Sequence, residues 1–183
     1  LDAKTRLFQV FEPSTIPGLS QTANYARAHV AEGVALFGAL NDRDQAVHAR
    51  MQRQELLYHC EKRFHFVLTE AALPCRRCSR DVLVAQLDRL MSLSALPNVK
   101  FGIISDDTEY IIGPWHAFWI RDRECITIET YSAELNLAQS QEIELYGKVF
   151  EALATVATYG RRTRSIITRV IDNLAPHEPE TGS

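Results

Sequence analysis

Apolar residues recur along this chain at two spacings, every second position in short runs and every third or fourth in longer ones, and the switches between them outline its elements. Residues 6–11 (Arg-Leu-Phe-Gln-Val-Phe) predict a short strand or extended arm, ended by Pro13 and the turn signal Pro17-Gly18. A helix follows, with Asn24 as its cap and Tyr25, Ala28, Val34 and Leu36 on its apolar side, weakened toward its end by Gly33 and Gly38. A second helix over residues 42–59 sets Val47, Met51, Gln54 and Tyr58 on one stripe and leaves its other faces rich in Arg and Gln. Residues 64–68 return to alternation and predict a strand, and residues 79–95 line up Leu83, Leu87, Leu90 and Met91 as a helix that Pro97-Asn98 ends. Three strands are expected over 99–104, 115–120 and 125–131, the last two joined as an antiparallel hairpin by the charged turn at 121–124. Of two closing helices, the first is capped by Ser140 and carries Ile143, Tyr146, Val149, Phe150 and Leu153. Gly160 separates it from the second, with Ile167, Val170, Ile171 and Leu174.

This order predicts an α/β or α+β fold: a mixed sheet of four to five strands, covered by helices on at least one face, with a C-terminal helical pair. The strand, helix, strand order over residues 64–104 permits a parallel crossover, and the strands after it favour hairpin connection. A single domain is expected over residues 1–174, with a flexible Pro-, Glu- and Gly-rich tail over 175–183.

Composition narrows the classes. With 183 residues and 46% hydrophobic content, the chain can bury one substantial core. A formal net charge of -3 gives no global electrostatic reason to bind nucleic acid, since phosphate binding rests on many Lys and Arg displacing counterions. No apolar run approaches the roughly twenty residues of a membrane span, so a cytoplasmic chain without membrane contact is expected.

The stretch Glu12-Pro-Ser-Thr-Ile-Pro-Gly-Leu-Ser-Gln-Thr-Ala-Asn-Tyr-Ala-Arg-Ala28 adds a family reading. It resembles the opening of the C-terminal effector domain, long catalogued as a domain of unknown function, of actinobacterial XRE-type helix-turn-helix regulators of antitoxin-like kind. The pattern "EP-x-x-x-PGLLQT-x-x-YARA" is matched at Glu12, Pro13, Pro17, Gly18, Leu19, Gln21, Thr22, Tyr25, Ala26, Arg27 and Ala28, with Ser20 in place of the usual Leu. The resemblance continues through Arg50-Met-Gln-Arg-Gln54, Leu68-Thr-Glu-Ala-Ala-Leu73, Gln86-Leu87, Leu96-Pro-Asn-Val99, Gly113-Pro114 and Ile128-Glu129, in order, over nearly the whole chain. It implies an effector-sensing or protein-interaction domain with no catalysis and no cofactor. The expected partners are a small cognate partner protein or a small-molecule effector, and possible homodimer formation. DNA is reached only through an N-terminal helix-turn-helix absent from this chain.

Candidate chemistry is sparse. Cys75-Arg-Arg-Cys78 has the spacing of a redox pair or half a zinc site, but no second ligand pair accompanies it, so no metal is expected. His116 with Glu70 and Glu129 is the alternative, a hydrolase or transferase in which a carboxylate orients the imidazole. GxSxG, HExxH, P-loop and GxGxxG signatures are absent. Arg50 and Gln54 share a helix face at i, i+4, with Arg53 beside them, suited to a carboxylate or a partner backbone, and the family pattern has Arg and Gln at these places. Glu70 and Glu129 stand at strand ends, where each can pair, cap or meet a ligand. Gln21 and Tyr25 beside the Pro-Gly turn, the 50–54 face, and Trp115 with His116 mix polar and aromatic character, and recognition is expected there.

Overall fold

The computed structural model describes residues 2–37 and 43–174. The expected break at Gly38, the start of the second helix at Asp42 and the tail over 175–183 lie outside the described residues. Strands β1 (Leu7–Glu12), β2 (Arg63–Thr69) and β3 (Val99–Ile104) run parallel, β1 against β2 and β2 against β3. On the other side of β1 the antiparallel strands β4 (Phe118–Arg121), β5 (Cys125–Glu129) and β6 (Glu134–Leu137) follow by hairpins. Two-residue β7 (Thr158–Tyr159) pairs antiparallel with β3 and completes a seven-stranded mixed sheet in the order β6-β5-β4-β1-β2-β3-β7.

The α+β class holds, but the sheet exceeds the four to five strands expected. Both additional strands lie at sheet edges, where periodicity is weak. Three of the four residues of β6 are exposed, so no apolar alternation marks it, and β7 is too short to have a period. The expected 115–120 strand also begins late, at Phe118. Its neighbour β1 ends at Glu12 and is followed by Pro13, which offers no N–H, so pairing stops at Phe11 with Phe118.

Alternating side chains divide the interior into two cores. Phe8, Val10, Phe64, Phe66, Phe101 and Ile103 face helices α3 (Arg80–Leu93) and α5 (Arg161–Asn173), through Leu83, Leu87, Leu90, Ile166, Ile167 and Val170. Phe11, Val67, Phe118, Ile120, Ile126 and Ile128 face α4 (Ser140–Val156) through Phe150 and Leu153. The closing helices therefore do not form a pair; they cover opposite faces of the sheet. Gly160, at φ 62°, supplies the left-handed residue between β7 and α5 that a side chain adopts only with strain. At Gly102 a Cβ would lie 2.6 Å from the Tyr159 ring, so the bare backbone is what lets that ring cover β3.

Local capping differs from expectation in two places. Helix α1 (Ala23–Phe37) starts one residue before Asn24, and Thr22 caps it: its hydroxyl accepts the Tyr25 N–H at 3.2 Å. Ser140 is the first helical residue of α4, and the Glu142 carboxylate accepts the Gln139 N–H at 3.3 Å in a capping-box contact. Helix α2 (Arg43–Arg53) tightens into a 3₁₀ segment, Gln54–Tyr58, which turns Leu57 inward and leaves Tyr58 60% exposed, off the predicted stripe. The three-residue β4–β5 turn, Asp122 to Glu124, has positive φ at Asp122 and Arg123, and the Asp122 carboxylate accepts the N–H of Leu7 at 2.7 Å.

Candidate functional site

Between β1 and α1 the chain has only a single 3₁₀ turn, Gly18–Ser20, and this buried connection carries backbone groups that need partners. Three glutamine amides supply them. Gln86, fully buried on α3, accepts the Thr22 N–H at 2.6 Å and donates to the Ser20 carbonyl at 2.8 Å. Gln54 donates to the carbonyls of Gln21 and Gly18, at 2.6 and 3.1 Å. Gln21 donates to the Ile16 carbonyl at 2.8 Å, and its own amide oxygen accepts from the Arg50 guanidinium at 2.9 Å. The Arg50-to-Gln54 spacing read as one helix face thus has two roles: Gln54 builds the turn, and Arg50 stands beyond it.

Arg50 opens into a cavity of about 90 Å³, lined also by Glu12, Thr15, Gln21, His29, Arg53, Trp119 and Glu129. Register explains the gathering. Glu12 follows Val10 on the same face of β1, and Trp119 lies opposite Val10 on β4. Thr127 lies opposite Trp119 on β5, and Glu129 follows on that face. Arg53 is held over the Trp119 ring at 5.1 Å and bonded through Nε to Asp2 at 2.6 Å. Arg121 shares Asp2, through Nε at 2.8 Å, and also bonds the Thr127 hydroxyl. Burial opposes ionisation of Asp2, but Arg53 and Arg121 outweigh it and hold the carboxyl below the usual range.

Arg50 differs from Arg53. Among the described residues no carboxylate lies within 4.0 Å of its guanidinium, and its hydrogen-bond partner is the neutral Gln21 amide. Burial, with Arg53 adding to it, lowers its pKa from the ordinary value, against the pull of Glu129. Glu12 is only 7% exposed, and its Oε2 has no hydrogen-bond partner among the described residues; the buried hydroxyls of Thr15 and Tyr25 lie beside each other. Burial, partly offset by the neighbouring Trp119 indole and reinforced by Glu129, pushes the Glu12 carboxyl up to about 8, so it is largely protonated at neutral pH. His29, driven down to about 4 by burial and by Arg50 and Arg77, is neutral, and its Nδ1 accepts from Arg77 at 2.9 Å. The cleft therefore combines an unpaired cation, a rim carboxylate and a protonated acid. Such a set suits recognition of a polar molecule.

The remaining sequence-nominated residues lie elsewhere. Tyr25 is fully buried within the α3-side core. Trp115, 85% exposed, and His116 line an apolar hollow of about 240 Å³ between α4 and Phe11, on the opposite face of the sheet from the Arg50 cleft. His116 Nε2 meets the Tyr146 hydroxyl at 2.9 Å. Glu70 ties three elements, accepting from Ser105 Oγ at 3.1 Å, the Asp106 N–H at 3.3 Å and Arg169 at 2.6 Å. His116, Glu70 and Glu129 are thus not brought together. Cys75 and Cys78 are free thiols, and among the described residues no three His, Cys, Asp or Glu side chains are grouped to hold a metal ion. No helix among these residues is long and apolar enough to cross a membrane.

Glu12, Trp119, His29, Asp2 and Gln86 escaped the sequence reading as site residues. Glu12 carried a signal: an acidic residue continuing an apolar alternation into the core position two beyond Val10. Asp2 and His29 carried none, because both act through contacts with residues distant along the chain. A family model described as Domain of unknown function (DUF5753) matches residues 1–169. No curated protein and no solved structure matches the chain.

Proposed function

The chain belongs to that domain family, and we propose that it is the effector-sensing domain of a transcriptional regulator, binding a small polar effector in the Arg50 cleft. One observation carries the cleft: a half-buried guanidinium bonded to a neutral amide shares a small cavity with a buried carboxyl whose oxygen has no partner. The regulator role rests on the resemblance of the Glu12-to-Ala28 stretch and the later landmarks to effector domains of actinobacterial XRE-type, antitoxin-like regulators. On this reading the helix-turn-helix that contacts DNA belongs to another segment, and the effector changes how that segment acts. Arg50, on α2, and Gln21, on the turn before α1, make the cleft sensitive to any displacement of these two helices, which pack on each other. A small cognate partner protein, the other expected ligand, is suited to the opposite face, where exposed Trp115 and Leu145 border the apolar hollow.

The test is a thermal-melt screen of the chain against small polar metabolites, run in parallel on Arg50→Met. A ligand at about 100 times its Kd adds about 2.7 kcal/mol to the stability of the state it binds. The expected result is at least one metabolite that raises the melting temperature of the parent chain and not of Arg50→Met. Equal shifts in both proteins would place binding outside this cleft.

A further inference from the structure

The charge pattern of the cleft narrows the ligand further, on the premise that the cleft is the effector site. Arg53 is committed to Asp2 and to the Trp119 ring, and Arg121 to Asp2 and Thr127. Two charges are left over. Arg50 and Glu129 attract each other, yet no ion pair within 4.0 Å joins them among the described residues, so they face one another across a gap. A lone anion seated on Arg50 would also face Glu129, and a lone cation at Glu129 would also face Arg50. A molecule carrying both charges satisfies both ends.

Size and hydrogen-bond supply agree with this. A water occupies roughly 30 Å³ in the liquid, so the cavity of about 90 Å³ matches the bulk of about three waters and suits only a very small molecule. Beside the gap lie Glu12 Oε2, buried without a partner, and the buried Thr15 Oγ1, which has the Tyr25 hydroxyl beside it. Glu12 and Thr15 can both accept N–H bonds from an ammonium, although a hydroxyl and a neutral acid can also donate an O–H, so the preference for a cation at this end comes from Glu129. The guanidinium fork of Arg50 matches a planar carboxylate.

We infer that the cleft takes a small zwitterion of the α-amino acid class, its carboxylate on Arg50 and its ammonium among Glu12, Thr15 and Glu129. Net-neutral charge and a short side chain are the specificity it imposes. Larger amino acids exceed the cavity, and phosphorylated compounds bring excess negative charge against Glu129.

Titration calorimetry of the full chain with alanine, acetate, methylammonium and inorganic phosphate tests this. Alanine is expected to bind at least about tenfold more tightly than any of the three single-charge probes. Arg50→Met and Glu129→Gln are each expected to weaken alanine by at least about tenfold. Glu129 is exposed, so Glu129→Gln keeps the test decisive if Arg50→Met fails to fold. Acetate or phosphate binding as tightly as alanine, in an Arg50-dependent way, would overturn the zwitterion while leaving the cleft an effector site. Failure of all four probes, with the melt screen finding an Arg50-dependent metabolite that is not an α-amino acid, would do the same, whereas a small α-amino acid found there would uphold the zwitterion. Failure of all four, with no Arg50-dependent metabolite in that screen, would remove both readings.

Discussion

Glu12 sits where the apolar alternation of β1 would place a core side chain, and the fold accepts it there as a neutral acid. Its carboxyl titrates near 8 in the fold against 4.5 for the free group, because burial, with Glu129 nearby, disfavours the charge. The folded chain therefore binds a proton that the unfolded chain releases between these values. The sign follows directly: this contribution to stability is whole below about pH 4.5 and is lost as pH rises through about 8. Denaturant melts at a series of pH values should show the parent chain losing on the order of a few kcal/mol over that window relative to Glu12→Gln. Parallel curves for the two proteins would mean that Glu12 is ionised in the fold. His29, lowered to about 4, acts with the opposite sign, losing stability as pH falls below its ordinary value, which is why the comparison is made against the single variant.

At the scale of elements, the segment between β1 and α1 is held by amides on three different elements, so its shape depends on tertiary contacts that a local pattern does not contain. Replacing Gln86 by Leu leaves the Thr22 N–H and the Ser20 carbonyl buried without partners. A loss of roughly 2 to 4 kcal/mol in chemical denaturation is expected, together with weaker ligand binding, because Gln21 and through it Arg50 are displaced. Unchanged stability would show that the turn finds other partners. The parts of the fold legible in the sequence were those with a period to read: β1, β2, β3, α3, α4 and α5 fall where their apolar spacing puts them. Edge strands β6 and β7 lacked that signal, and the 3₁₀ tightening after Arg53 reversed the fates of Leu57 and Tyr58, which a uniform helix would not do. The aromatic in the cleft is Trp119, four residues beyond the nominated Trp115, since which of two nearby tryptophans enters a site is set by where β4 begins to pair.

For the molecule as a whole, the two faces of the sheet carry different chemistry. One holds the polar cleft, built where helices α1 and α2 meet the antiparallel half of the sheet; the other holds the apolar hollow beside α4. Gln21, Arg50, Arg53, Gln54 and Glu129, read as separate short pieces, converge on or directly support the first, whereas Trp115 and His116 border the second. Their convergence was not visible from spacing, because β1 and β5 become neighbours in space only through β4. The two tryptophans of the chain offer a direct readout of the division. Trp115→Phe leaves Trp119 as the sole indole, under Arg53 and at the wall of the cleft. Emission from that variant, followed during titration with alanine, is predicted to change saturably, and the change is predicted to vanish when Arg50→Met is added. A Trp119 signal that is flat, or that changes identically without Arg50, would contradict the cleft as the ligand site.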